Sequence, residues 1–381
     1  MTVENSTEIG YTLWTVLVNA SVNISGDGAT EDPWERLVLW SVLNGLIGVL
    51  GVLGNGLVLI VFLRSKSSRN LINMFIINQS MIDFTSSVVF LVIHLGPKIE
   101  LVPGNTVHLI LCKIWVSEYV MWALFISSSI NLVCITLERY AATMKPAWYR
   151  KKVTSVKDRI LLVAGAVWAS GFIIDAFWAY VQQVLPDNLC IPIYKSAVWK
   201  GVGGVMIFFV TYLGPLSVIV FCYAQIIRKL GKQAAKVQSQ SPARTLSQRA
   251  TDRRSVGPGT SSSTDPGSVR SRGTSRSSRA MRNVIKTMLI VSVTYAISWA
   301  PIAFNYVIYN LGGPLDFTST WYEITKIFAY ANMCGNPFIY AMQYRQFQAG
   351  LRAMFSCCMG GAIRPDANTA EMSVTGGDTL A

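Results

Sequence analysis

Six polar side chains stand inside long apolar runs of this 381-residue chain: Asn55, Asp83, Ser128, Asn131, Asn332 and Asn336. Polar groups are costly in hydrocarbon, so each is a candidate for function. An ionised carboxylate at Asp83 needs a cation, a proton or several hydrogen-bond donors. Amides and a hydroxyl on neighbouring runs give the cluster the chemistry to hold sodium or relay protons; the plain alternative is a hydrogen-bond network that packs helices. Pro215, Pro301 and Pro337 fall in the later runs. Each removes a backbone hydrogen bond and kinks its helix, and the freed carbonyls are met by water or neighbours. A buried polar cluster beside three kinked helices reads as a switch with movable inner ends.

The elements that must position these residues follow from composition. The chain is 51% hydrophobic and 14% charged, against about 25% charged in soluble domains. This excludes an ordinary cytosolic enzyme and indicates a membrane protein. A helix needs about 20 apolar residues to cross a bilayer, and seven stretches qualify: Leu37–Leu63, Leu71–Leu95, Leu109–Ile135, Ile160–Tyr180, Val198–Ile227, Val284–Leu311 and Thr320–Met342. The expected fold is an all-α seven-helix membrane bundle.

The net charge of +13 raises the question of a nucleic-acid partner. With the amino terminus outside, the inner loops hold Arg64, Lys66 and Arg69, then Lys145, Arg150, Lys151, Lys152 and Lys157, then a dense arginine series between Arg228 and Lys286. Glu4, Glu8, Glu31, Asp32, Glu35, Glu100, Asp187 and Asp316 lie on the other side. Cytoplasmic loops are enriched in Lys and Arg, so the basicity is topological and no nucleic acid is implied. Three glycosylation acceptors, Asn5, Asn19 and Asn23, crowd the outer tail and agree with this orientation. The first residues lack the pattern of a cleaved signal peptide, so the first span is expected to direct insertion.

The expected organisation is a glycosylated outer tail (1–36), the bundle (37–343), an amphipathic helix (344–356) and an inner tail (357–381). The third inner loop, about 232–279, is rich in Ser, Arg, Gly and Pro and reads as disordered. Its Ser247, Ser255 and Ser275 sit beside basic residues, as basophilic kinases require. Cys134, Cys222 and Cys334 lie within spans as packing residues. Cys112 and Cys190 remain on the oxidising side, where a bridge would pin the loop after the fourth span to the third. Cys357 and Cys358, beside the membrane, are candidates for palmitoylation.

In order along the chain stand Gly54-Asn55, Asn78-Gln-Ser-Met-Ile-Asp83, Glu138-Arg139-Tyr140, Trp168, Pro215 with Tyr223, Ser298-Trp299-Ala300-Pro301, and Asn336-Pro337-Phe338-Ile339-Tyr340, followed by Phe347 and the cysteine pair. Each motif alone is weak, but one per helix in this order is specific, and the chain resembles a rhodopsin-like (class A) G-protein-coupled receptor of unassigned ligand subfamily. The resemblance implies a plasma-membrane receptor that is not an enzyme. It would bind an extracellular ligand and activate a heterotrimeric G protein, with arrestin, receptor kinases and membrane lipid as further partners. It casts Arg139 as the arginine held by Glu138 at rest, with Tyr140 completing the motif and Tyr223 and Tyr340 supporting the active state. Trp299 is cast as the toggle at the pocket floor. Asp83, Ser128, Asn332 and Asn336 are cast as a sodium pocket, with sodium an allosteric ligand and no other cofactor.

The chain departs from the pattern in several places. Cys112 precedes Arg139 by 27 residues, two more than usual, which leaves the register of the outer third span open by about half a turn. Tyr295 stands where the family favours Phe, Ser129 where it favours an aliphatic residue, and Met281 where some relatives carry an acid. Counting to the acid of amine receptors lands on Tyr119 or Met121, with Glu118 nearby, and Tyr330 stands where opsins carry their lysine. The expected pocket is Glu118, Tyr119, Trp122, Tyr306, Lys326 and Tyr330, with Trp115, Trp178, Tyr309 and Trp321 at its aromatic mouth. A peptide is the first ligand class and a small organic molecule the second. The rival reading is a transporter using Asp83 and Lys326, but the internal repeats typical of transporters are missing. An intramembrane enzyme is disfavoured: the sequence has no HExxH, no paired catalytic aspartates and two histidines, His94 and His108.

Overall fold

The computed structural model describes residues 33–64, 70–252, 266–316 and 319–358. Of these, 33–43 belong to one compact unit and the rest to another. The bundle below is described within the second.

The spans are helical as their apolar length requires. The first lies in Pro33–Arg64, the second is Leu71–Leu95, the fourth Ile160–Val181, the sixth lies in Pro266–Asn310 and the seventh is Thr320–Gln343. The third is composite: Thr106–Leu111 enters a π-helical turn, Cys112–Val116, and helix resumes as Tyr119–Met144. The fifth runs Ala197–Phe208, through a second π turn, Phe209–Leu213, into Gly214–Asp252. Six of these helices are long and apolar enough to cross a membrane. The seventh, at 24 residues, spans about 36 Å at 1.5 Å per residue, and its Glu323, Lys326, Asn332 and Asn336 lower its hydropathy. Helical backbone reaches Asp252 and restarts at Pro266, further into the third inner loop than its composition indicates; residues 253–265 lie outside the described ones.

The third span is central, packing against the second, fourth and fifth. Gly171 lets the fourth approach it so closely that a Cβ there would lie 2.2 Å from the Ala123 carbonyl oxygen. A short helix, Pro146–Asp158, follows the third span, and Arg345–Cys358 follows the seventh. In the latter Phe347 is buried while Leu351 and Met354 pack on the core, and Arg352 is exposed, as amphipathic spacing dictates. The sequence reading contains no strands, yet β1 (Gln182–Val184) and β2 (Cys190–Pro192) pair antiparallel just after the fourth span, with Val184 opposite Cys190.

Two of the three prolines have their orphaned carbonyls met by side chains from other spans. Pro337 has no N–H for the Met333 carbonyl four residues earlier, and Asn55 Nδ2 donates to that oxygen at 2.8 Å. Pro215 likewise strands the Thr211 carbonyl, and the Tyr295 hydroxyl donates to it at 2.9 Å. Reciprocally, the Tyr212 hydroxyl donates to the Ala296 carbonyl at 2.9 Å. Tyrosine at 295 therefore clasps the sixth span to the proline bend of the fifth, which phenylalanine cannot do. Tyr295→Phe leaves a buried carbonyl unmet and is expected to lower stability by about 1–3 kcal/mol; thermal unfolding of the purified variant reads this, and an unchanged midpoint would sink the assignment.

Candidate functional site

At the inner face, Glu138 and Arg139 are both buried near the cytoplasmic end of the third span. Arg139 donates through Nε and Nη2 to the two oxygens of Glu138, and the Tyr149 hydroxyl from the following short helix donates to the same carboxylate. Burial, with Glu138 beside it, raises the Tyr149 phenol above its ordinary pKa, so it stays a donor at neutral pH. Lys229 caps the helix end, donating to the carbonyls of Thr143 at 2.7 Å and Met144 at 3.3 Å. Tyr140 packs near Phe221, with centroids 6.2 Å apart. Tyr223 and Tyr340 are buried in the core, and the Tyr340 hydroxyl has no hydrogen-bond partner among the described residues. The side chain of Met281 lies outside the described residues.

Asn283 is a joint that the sequence reading missed. Its Nδ2 donates to the Gln343 carbonyl at 2.8 Å, and its Oδ1 accepts from the Arg345 amide at 3.2 Å. The inner end of the sixth span is thereby tied to the corner between the seventh and the terminal helix. A lone Asn near a helix end carries no sequence signal for this, because the partners are backbone groups.

The polar cluster forms around Asp83, which is 1% exposed. Ser128 donates to its Oδ1 at 2.9 Å and Asn336 to its Oδ2 at 2.8 Å. Gln79, one helical turn earlier, donates to both oxygens at 3.2 and 3.1 Å and also to Ser128. The amide orientations follow from one fixed donor. Trp168 Nε1, which can only donate, meets Asn78 Oδ1 at 3.1 Å. Asn78 Nδ2 then meets Asn131 Oδ1 at 2.9 Å, and Asn131 Nδ2 meets both the Phe75 carbonyl at 3.0 Å and Gln79 Oε1 at 2.8 Å. The Gln79 NH₂ must therefore face Asp83. Asn332 stands apart, its Oδ1 3.5 Å from Ser298 Oγ, although it shares a small cavity with Ser128 and Asn336.

This arrangement does not fit sodium. The cation needs oxygen acceptors around the carboxylate, and the face between Asp83 and Ser128 presents the Gln79 amide donor. Gln79→Leu removes that donor while Ser128 and Asn336 remain. Replacing choline by sodium chloride is expected to leave the unfolding midpoint of the native chain unchanged and to raise that of Gln79→Leu by several degrees, since a bound ion stabilises by about 2.7 kcal/mol at 100 times its Kd. A sodium-induced rise in the native chain would overturn the reading.

At the outer side, an open cavity is lined by Trp122, Trp178, Tyr306, Tyr309, Tyr322, Phe208, Asp175 and, at its floor, Trp299. Trp299 sits edge-on to Phe125 at 5.8 Å and near Tyr295 at 6.1 Å, linking the cavity to the fifth-to-sixth clasp. Of the expected pocket residues, Trp122 and Tyr306 line the cavity and four lie elsewhere. Tyr119 donates to the Phe172 carbonyl at 2.8 Å. Lys326 pairs with Glu323 at 2.9 Å. Tyr330 is buried against Phe90 and Trp122 and lies 3.4 Å from Glu118, and Glu118 also lies 3.7 Å from His94. Trp178 and Tyr309, expected at the mouth, line the cavity, whereas Trp321 is exposed. Asp175 is the lining acid that the sequence reading missed, although its place in an apolar run was signal enough.

Cys112 and Cys190 form a disulfide, joining the π turn of the third span to β2. The surplus residues between Cys112 and Arg139 are taken up locally: the π turn adds width, and Glu118 turns the chain in a left-handed conformation (φ 60°) before helix resumes. Lys113 uses this geometry to donate to the carbonyls of Ala179, Tyr180 and Gln182, at 3.3, 2.8 and 2.7 Å, closing the end of the fourth span. Asn5, Asn19 and Asn23 lie outside the described residues, as do the side chains of Cys357 and Cys358.

Comparisons agree with this architecture. A family model described as 7 transmembrane receptor (rhodopsin family) matches residues 54–340. The chain is 25% identical to the cholecystokinin receptor type A of Cavia porcellus over 86% of this chain and 81% of that one. It is 26% identical to the galanin receptor type 1 of Rattus norvegicus over 89% and 91%, and 24% identical to the rhodopsin of Enteroctopus dofleini over 98% and 78%. Among solved structures, squid rhodopsin superposes with a TM-score of 0.63 at 18% identity, covering 93% of this chain and 95% of that one, a likeness of fold. With the family model spanning the motifs from Gly54 to Tyr340, this chain belongs to the rhodopsin family of seven-transmembrane receptors.

Proposed function

We propose that the chain binds an extracellular ligand in the outer cavity and, through rearrangement of the fifth, sixth and seventh spans, activates a heterotrimeric G protein at the inner face. The observation that carries this is the continuous packing from Trp299, which both lines the cavity and contacts Phe125 and Tyr295, to the Tyr295–Thr211 clasp at the Pro215 bend. A ligand pressing on Trp299 acts on a hinge. At the other end, Arg139 waits in the Glu138 carboxylate, and its fork of donors suits a protein carboxyl terminus or backbone carbonyls. Opening requires the Asn283 joint to part. Asp83, held by donors from Gln79, Ser128 and Asn336, is the pivot between the second, third and seventh spans. Pro301 and Pro337 supply further bends, and Tyr140, Tyr223 and Tyr340 support the opened state.

A peptide remains the first ligand class. Two of the similar receptors are named for peptides, cholecystokinin and galanin. On this proposal the amino terminus lies outside with Asn5, Asn19 and Asn23 glycosylated, Cys357 and Cys358 palmitoylated, and the chain in the plasma membrane. On the same proposal the third inner loop and inner tail meet receptor kinases and arrestin.

The test is nucleotide exchange on purified G proteins by the full chain in lipid nanodiscs, challenged with a library of peptides and small molecules. Stimulated exchange supports the reading. Substrate flux in proteoliposomes with no G protein, and no exchange with any G-protein class, would replace it by a transporter.

A further inference from the structure

Among the described residues lining the outer cavity there is one acid, Asp175, and one of its two oxygens has no hydrogen bond. Asp175 is 5% exposed, its Oδ2 is buried without a hydrogen bond, and no ion pair reaches it among the described residues. The walls around it are aromatic: Trp122, Trp178, Tyr306 and Tyr322 all line the same space. Among the described residues, the cations on the surrounding elements each have another partner. Lys113 closes the end of the fourth span, Lys200 lies over the Tyr309 ring at 3.4 Å, Lys195 lies over Tyr180 at 5.9 Å, and Lys326 pairs with Glu323.

A carboxylate with an oxygen buried among aromatic walls and left without a hydrogen bond is costly to ionise, and a sequence that needed only packing there would be served by any apolar residue. An entering cation removes that cost, gains Coulomb attraction in a water-poor space, and meets aromatic faces that attract positive charge. Neutral ligands gain none of these, and an anion is repelled. From the unpartnered Asp175 and the aromatic cage we infer that this cavity takes a ligand bearing one ammonium or guanidinium group on an apolar or aromatic body, with Asp175 as its counter-ion. The inference rests on the receptor reading above and names the ligand class of its pocket: a basic side chain or a free amino terminus in a peptide, or an organic amine. Glu118, the acid closest to hand in the sequence, is set aside because it is held near His94 and Tyr330.

The test is affinity selection on the full chain in nanodiscs with a library of acetylated tripeptide amides, each Arg-containing member matched by its citrulline counterpart, which keeps the shape and loses the charge. On the native chain, the retained members should be those with Arg, favoured over their citrulline partners by at least about tenfold. On Asp175→Asn that preference should vanish. Equal retention of both kinds, retention of neither, or an Arg preference that survives in Asp175→Asn would overturn the assignment. A ligand-free measurement guards against a misfolded variant: relieving an unpaired buried carboxylate should leave the unfolding midpoint of Asp175→Asn equal to or above that of the native chain. A clear fall would identify Asp175 as a structural group and refute the inference. Selection needs no G protein, so its failure and a failure of the exchange assay are read separately.

Discussion

Arg139→Ala is expected to reduce stimulated nucleotide exchange by on the order of 100-fold, because truncating one partner of a desolvated charge pair costs about 2–5 kcal/mol. The arginine is proposed to exchange its carboxylate for groups on the G protein through its planar fork of donors. Arg139→Lys should recover little, since an ammonium cannot reproduce the two-pronged contact seen with Glu138. Glu138→Gln should act in the opposite sense. It removes the charge that holds Arg139 while keeping an acceptor for Tyr149, so ligand-free exchange should rise severalfold. Exchange rates on purified G protein, normalised to receptor folded by ligand-independent thermal unfolding, separate these effects from instability. If Arg139→Ala exchanges at the native rate, the inner-face assignment fails; if Glu138→Gln lowers basal exchange, the pair is not a restraint.

The bundle was legible in the sequence because apolar length is a property of single segments: the seven runs from Leu37 to Met342 each needed no partner to be recognised. The motif residues were legible for the same reason, each being tied to one helix. Partnership was not. Gln79 stands inside a quoted motif, yet its role as the donor facing Asp83 depends on a relay from Trp168 through Asn78 and Asn131 that crosses three helices. Tyr295 was legible as a departure, but its reason appears only when the Thr211 carbonyl lies 2.9 Å away. Glu118 and Lys326 are conspicuous in the sequence because they are charged, whereas the structure sets Glu118 near His94 and Tyr330 and pairs Lys326 with Glu323. The 27-residue interval from Cys112 to Arg139 announced an irregularity without its form. A π turn and a left-handed Glu118 are backbone solutions that no residue type specifies.

Cys112→Ser is expected to be the most destabilising single change on the outer face. The bridge closes a loop of 78 residues, and chain-entropy bookkeeping for a loop of that length gives about 4.5 kcal/mol. A two-stranded sheet is marginal on its own, β1 and β2 are three residues each, and besides the disulfide the Lys113 bond to the Gln182 carbonyl at 2.7 Å ties them to the third span. Loss of the bridge should therefore free residues 182–192 first, raising their amide hydrogen exchange, and weaken the closure of the fourth span that Lys113 provides. Because the two cysteines act as one unit, Cys190→Ser and the double variant should unfold at the same midpoint as Cys112→Ser, with no further loss on combining them. Reduction of the native chain should reproduce that midpoint. Additive losses in the double variant would show that each cysteine stabilises by its own packing, and protection of residues 182–192 that survives reduction would show that the hairpin is held by contacts other than the bridge.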